Sequence, residues 1–175
     1  MNDNIELELK TLVNEKDFYQ LLCLYPNYQI INQTNYYYID EKKQIRNLKA
    51  VLRERIINDD KISTFKIKRG SNLFEYEYPG DIYSKEMTKI LEQNNISYPY
   101  NLICSLTTKR HLINLPFAQL CLDINYYNNI VDYEIEYEVT SVHDYVQEFT
   151  NILNQANIIY QENPYSKFLR AINSI

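Results

Sequence analysis

The sequence predicts an α+β protein built on an antiparallel sheet or barrel. Segments whose polarity alternates residue by residue outnumber those with a helical period. These segments follow one another in runs instead of alternating with helices, which argues against a βαβ arrangement. The glycines, Gly70 and Gly80, sit in neither of the glycine-rich patterns that cradle phosphates between strand and helix. At 175 residues the chain fits one domain, 1–175, long enough to close a real core. A hydrophobic content of 45% and a charged content of 23% are ordinary for a soluble globular protein. No apolar run approaches the roughly 20 residues of a membrane span, and the polar start Met1-Asn-Asp-Asn-Ile-Glu is no secretory leader. A cytoplasmic protein without membrane partners is expected.

The elements read as follows. Ile5-Glu-Leu-Glu-Leu-Lys10 has period two, with Ile5, Leu7 and Leu9 on one face and Glu6, Glu8 and Lys10 on the other. Residues 15–24 read as a short amphipathic helix closed by Pro26, and 29–40 as a β-rich stretch carrying Tyr36, Tyr37 and Tyr38. Strands follow at 48–57 and 63–69, a hairpin turning at 58–60, and at 73–78, stopped by Pro79-Gly80. Residues 81–93 read as a helix with Asp81 as its N-cap. Strands resume at 102–107, 108–115, 118–126 and 132–140. Ser141 is the expected cap of a helix reaching 156, which either covers the sheet or forms a dimer face, and a short helix starts at Ser166. Cys23, Cys104 and Cys121 form no CxxC pair and lie among apolar neighbours, so they read as buried free thiols of a reducing compartment.

The charges on these strands are sorted. Glu6 and Glu8 near the start, and Glu134, Glu136 and Glu138 near the end, are acids spaced two apart. Arg53 and Arg55, then Lys66 and Lys68, are bases with the same spacing in the middle. Solvated strand faces mix signs, because like charges side by side repel. Sorted in this way, acids can hold a hard divalent cation, Mg²⁺ or Mn²⁺, and bases can hold a polyanion such as a triphosphate. So many charges on one inward face require a wide, wet lumen, which a closed antiparallel barrel supplies. The net charge of -5 argues against a general nucleic-acid binder while leaving room for a basic cavity.

Glu6-Leu-Glu-Leu-Lys10 resembles the ExExK signature of the CYTH superfamily, also called triphosphate tunnel metalloenzymes. The resemblance continues through Gln33-Thr-Asn-Tyr-Tyr-Tyr-Ile-Asp40, Leu52-Arg-Glu-Arg55, Thr64-Phe-Lys-Ile-Lys68 and Ser105-Leu-Thr-Thr-Lys-Arg110. It extends to Leu122-Asp123, Asp132-Tyr-Glu-Ile-Glu-Tyr-Glu138 and Ser166-Lys167 with Arg170, so it spans nearly the whole chain. The Ser-Leu-Thr-Thr-Lys-Arg block is most similar to the Firmicute branch. Two positions depart from the pattern: Lys49 stands where relatives commonly have glycine, and Glu54 replaces an apolar residue.

The resemblance implies a closed eight-stranded antiparallel β-barrel, the triphosphate tunnel, with flanking helices. By matching motifs, Glu6, Glu8, Glu134 and Glu136 take the metal-binding roles. Lys10, Arg53, Arg55, Lys66 and Lys68 are the catalytic bases along the phosphate path. Arg110 and Lys167 line that path too, with Glu75 and Asp123 as further lumen acids. The implied reaction is metal-dependent hydrolysis of a terminal phosphoanhydride, of inorganic triphosphate or of a small organic triphosphate, by a monomer or homodimer. The alternatives are a class IV-type adenylate cyclase and a non-catalytic polyphosphate or nucleotide sensor. His111, His143 and the serines carry no catalytic pattern.

Overall fold

The computed structural model of the chain describes residues 7–70 and 72–175. The strands are β1 (Glu8–Val13), β2 (Gln29–Asp40), β3 (Val51–Ile57), β4 (Asp60–Arg69), β5 (Asn72–Pro79), β6 (Tyr100–Asn114), β7 (Ala118–Tyr127) and β8 (Ile130–Val139). They form an eight-stranded antiparallel sheet in the order β1-β8-β7-β6-β2-β3-β4-β5. The helices are α1 (Glu15–Leu24), α2 (Gln44–Asn47), α3 (Lys85–Gln93), α4 (Tyr145–Gln155) and α5 (Lys167–Ile172). The class is therefore α+β, as the strand runs predicted. β1 and β5 stand at the two ends of the order, and among the described residues no ladder between them closes it.

The chain forms two compact units. One comprises 33–106 with 171–175, the other 7–32 with 107–170. In the second unit the apolar faces of β7 and β8 carry Leu120, Leu122, Ile135 and Tyr137. Phe18, Leu21 and Leu22 of α1 and Phe149, Ile152 and Leu153 of α4 pack against them. Burying side chains of this size contributes about 1.5–3 kcal/mol each. α4 thus covers the sheet. In the first unit Met87, Ile90 and Leu91 of α3 pack on Leu52, Phe65 and Ile67. Helices occupy the apolar side of the strands, so the charged residues are left on the other.

Several boundaries differ from the expectation. Residues 102–115 hold one strand, not two, because no Gly or Pro interrupts 100–114. α3 begins at Lys85 with Ser84 as its cap, and Asp81 instead accepts from the Tyr83 amide at 2.9 Å. α4 is capped by Asp144, whose side chain accepts from the Gln147 amide, and not by Ser141. α2 had no sequence signal. Its first turn is held by the buried Asp40, which accepts from the amides of Gln44 (2.9 Å) and Ile45 (2.8 Å). Cys104 and Cys121 are buried free thiols, whereas Cys23 is exposed. Phe18, Leu21 and Leu22 take the buried face of α1, and Cys23 falls outside it.

Lys49 follows α2 with φ 50°, in the left-handed region. The Lys49 amide donates to the Arg46 carbonyl and the Ala50 amide to the Ile45 carbonyl, the paired bonds of a Schellman cap. Glycine adopts that conformation without strain. Asn95 and Asn157 stand at the equivalent point after α3 and α4. Asn128 and Asn129, both with positive φ, make the two-residue turn between β7 and β8.

Candidate active site

The charged face of the second unit is set by strand register. β1 pairs Glu8 with Glu138 and Lys10 with Glu136. β7 pairs Cys121 with Glu136 and Asp123 with Glu134, and β6 pairs Arg110 with Asp123. Antiparallel neighbours place side chains about 5 Å apart on one face, so period-two acids and bases meet across strands. Carboxylate oxygens of Glu8, Glu136 and Glu138 lie within 4.8 Å of one another. Such a grouping of hard oxygen donors suits a divalent cation such as Mg²⁺ or Mn²⁺.

Bases interleave with these acids. Lys10 Nζ is 2.6 Å from Glu8. Arg110 forks onto Asp123 at 2.9 and 2.8 Å, reaches Glu138 at 3.0 Å, and also donates to Glu136. Lys167, brought in by α5, contacts Glu136, Asp123 (3.0 Å) and Glu134 (2.8 Å). Burial alone would raise the Glu136 pKa, but Lys167 and Arg110 outweigh it and hold the carboxyl well below the usual carboxylate range. Burial works against the charge of Lys167, but Glu136, Asp123 and Glu134 keep the ammonium firmly protonated. Glu138 moves the opposite way. Burial and the nearby charges of Glu136 and Glu8 raise its pKa against the pull of Arg110.

Of the sequence-predicted metal residues, Glu8 and Glu136 come together here, and Glu6 lies outside the described residues. Glu134 belongs to the network but is gripped by bases: Arg170 donates to both of its oxygens at 2.9 Å and Asn163 to one at 3.1 Å. Arg170 is itself held by Asp132 at 2.9 Å, which also accepts from Tyr127 and Asn125. Glu138, counted among the sorted acids but left out of the motif-based metal set, groups with Glu8 and Glu136 and continues the parity of Glu134 and Glu136. Asn163 lies in a connecting segment and had no signal.

The first unit carries the other predicted bases. Arg53 faces Thr64 and Glu77 across β3, β4 and β5, and Lys66 faces Glu75. Lys66 pairs with Glu75 at 3.0 Å, and Arg55 Nε donates to Asn35 at 3.0 Å. Arg53 Nη2 donates to Thr64 at 3.1 Å but stands 3.7 and 3.9 Å from Glu75 and Glu77, and among the described residues its buried Nε has no hydrogen-bond partner. Lys68 is exposed. Both histidines lie apart from the charged faces. His111 Nδ1 bonds the Leu122 carbonyl, and His143 contacts Tyr137 and Glu148.

An antiparallel eight-stranded α+β fold with acids and bases sorted along its strands defines a class of charged-face β proteins. Residues 4–170 match the CYTH domain, and the chain belongs to that family. It is 25% identical over 186 residues, 97% of this chain and 95% of the other, to "Putative triphosphatase YjbK" of Bacillus subtilis strain 168. A solved Bacillus halodurans protein described as "a putative adenylate cyclase" superposes with a TM-score of 0.80 at 26% identity, covering 97% of this chain and 98% of that one. A Hippeastrum protein, HpAC1, described as a "putative adenylyl cyclase" with a dominant triphosphatase activity, superposes with a TM-score of 0.81 at 18% identity. It covers 97% of this chain and 95% of its own. No helix among the described residues is long and apolar enough to cross a membrane.

Proposed function

We propose that this protein is a metal-dependent triphosphatase that hydrolyses the terminal phosphoanhydride of inorganic triphosphate or of a small organic triphosphate. The observation that carries this reading is the sorting of charge. Three carboxylates gather within 4.8 Å in one unit, while in the other a buried Arg53 N–H lacks an acceptor among the described residues. A pure anion binder gains nothing from clustered carboxylates, and a pure metal binder has no use for an orphaned guanidinium donor. The names borne by the Bacillus subtilis and Hippeastrum relatives support the same reaction.

Glu8 and Glu136, with Glu6 and Glu134 by family pattern, are assigned to the metal. Bound Mg²⁺ or Mn²⁺ supplies Lewis acidity and neutralises phosphate charge. Lys10, Arg53, Arg55, Lys66 and Lys68 stabilise the charge spread over the transferred phosphoryl group. Arg110 and Lys167 bind phosphate oxygens, and Glu75 and Asp123 orient these bases, as their ion pairs with Lys66, Arg110 and Lys167 suit them to do. The reading takes 1–175 as one CYTH domain, acting as a cytoplasmic monomer or homodimer. The buried thiols of Cys104 and Cys121 suit a reducing compartment.

The Bacillus halodurans description favours a second reading, conversion of ATP to cyclic AMP. One panel separates the two: inorganic triphosphate, ATP, GTP and thiamine triphosphate, each with Mg²⁺, Mn²⁺ or chelator. Phosphate release that vanishes with chelator is expected. Cyclic AMP from ATP establishes the cyclase instead, and binding without turnover leaves only a sensor.

A further inference from the structure

Three tyrosine rings of the first unit meet one another away from the charged strand faces. The ring centroids of Tyr83 and Tyr98 are 6.2 Å apart, those of Tyr98 and Tyr100 6.2 Å, and those of Tyr83 and Tyr100 5.9 Å. Tyr98 stands steeply against the other two, at 63° and 85°, so the trio is no flat stack. A point over the middle of such a triangle lies within about 6 Å of all three centroids, the reach of a cation–π attraction. Tyr100 is buried on the core beneath α3, whereas Tyr83 and Tyr98 are 53% and 73% exposed. The backbone under the rings is tied down. The Tyr83 amide donates to Asp81 at 2.9 Å, and its carbonyl accepts from Thr88 at 3.4 Å. Beside Tyr98, the Pro99 carbonyl accepts from the Glu41 amide at 3.3 Å, and Tyr100 opens β6. Aromatic groups already held in place lose little freedom when a ligand arrives.

The charge around the trio is negative. Burial, then Glu92 and Asp40, raise the pKa of the Tyr100 hydroxyl. Burial, then Glu54, neighbouring tyrosines that include Tyr83, and Asp81 do the same at Tyr38. Among the described residues no lysine or arginine stands over these three rings; Arg69 stands over Phe74 instead. We propose that Tyr83, Tyr98 and Tyr100 form a binding site for a quaternary ammonium group, as carried by a free solute such as choline. The acids repel an anion, and the ring faces favour a cation. A trimethylammonium group has no N–H to donate, so it forfeits no hydrogen bond on leaving water, and its methyl groups pack on aromatic faces. A lysine ammonium is a compact, strongly hydrated charge and loses more. The site lies outside the residues assigned to phosphate and metal, so the inference stands or falls independently of the triphosphatase reading.

The test is titration of the full chain with choline and with its uncharged isostere, in which carbon replaces nitrogen, followed by NMR of the tyrosine ring resonances. Choline is expected to shift the rings of Tyr83, Tyr98 and Tyr100 and to bind at least about tenfold more tightly than the isostere. Tyr98→Leu keeps apolar bulk at an exposed position and removes the ring. It is expected to weaken choline at least about threefold with the unfolding midpoint unchanged, and Tyr83→Leu to weaken it in the same way. Equal affinity for choline and the isostere would reduce the trio to an ordinary apolar patch and overturn the proposal. Choline that leaves the three rings unshifted, or that binds both leucine variants as tightly as the wild type, overturns it too. A peptide bearing trimethyl-lysine serves as a further arm. Binding of that peptide without binding of choline overturns the assignment to a free solute.

Discussion

The two units use the same device, a strand pair with charges at every second residue, and reach opposite electrostatic states. Around β7, β8 and α5, Arg110, Lys167 and Arg170 fork onto Asp123, Glu134 and Glu136 with nearly every contact at or below 3.0 Å. On β3, β4 and β5, Lys66 is paired at 3.0 Å, but Arg53 has only long contacts to Glu75 and Glu77 and, among the described residues, a buried Nε without an acceptor. A buried polar group without a partner costs about 1–3 kcal/mol, a cost that an anionic ligand would relieve. The first network has closed on itself, and the second is left open at Arg53. The difference sets one unit whose buried bases are paired within the fold against one that, among the described residues, keeps a buried donor unpaired.

Substitution should expose this contrast most strongly. Asp123 is fully buried and anchors both Arg110 and Lys167, so Asp123→Asn is expected to cost about 3–5 kcal/mol in denaturant unfolding. Arg53→Ala gives up one hydrogen bond and two long ion pairs, and should cost about 1 kcal/mol while lowering phosphate release by about 10²–10³. Equal stability losses in the two variants would erase the distinction between the units.

Acid titration sharpens the comparison on the closed side. The Glu136 pKa lies below its ordinary 4.5 despite burial, because of Lys167 and Arg110. The unfolded chain therefore protonates first, and stability falls as pH drops below 4.5. Burial holds the His111 imidazole below its ordinary 6.5, so the folded form keeps it neutral and stability also falls as pH drops below 6.5. Melting temperature followed from about pH 8 to about pH 3 should decline through both windows. His111→Phe should flatten the upper decline alone, and an unchanged upper slope would remove His111 from the account.

The smallest expected effect lies in the first unit, away from the charged face. Lys49 holds φ 50° at a Schellman position. Lys49→Gly should stabilise the protein by about 1 kcal/mol, measured as a shift of the unfolding midpoint with the slope unchanged. A destabilised variant would mean that the lysine side chain contributes more than its backbone conformation costs.

Much of this architecture was legible because it follows from period two. Glu8, Arg53, Arg55, Lys66, Glu134 and Glu136 declare their face by spacing, and the apolar residues between them declare the helix-covered side. β2 (Gln29–Asp40) and α1 (Glu15–Leu24) run between the boundaries their sequences predict. Caps were less legible. Ser84 and Asp144 do the work that Asp81 and Ser141 also had the chemistry to do, and a shift of three residues is invisible to a periodic pattern. α2 is too short to show a period, and only Asp40 turning back on its amides reveals it.

The sequence by itself determined the class of fold and which residues are charged on one face, because side-chain alternation is local to each strand. Tertiary structure decided which acids meet. Register sets Glu138 against Glu8, and α5 delivers Lys167 and Arg170 from more than 30 residues away to Glu134. Pairing across strands and docking of a distant helix depend on contacts that no spacing along one segment encodes, so partnership among these charges appears only in the folded chain.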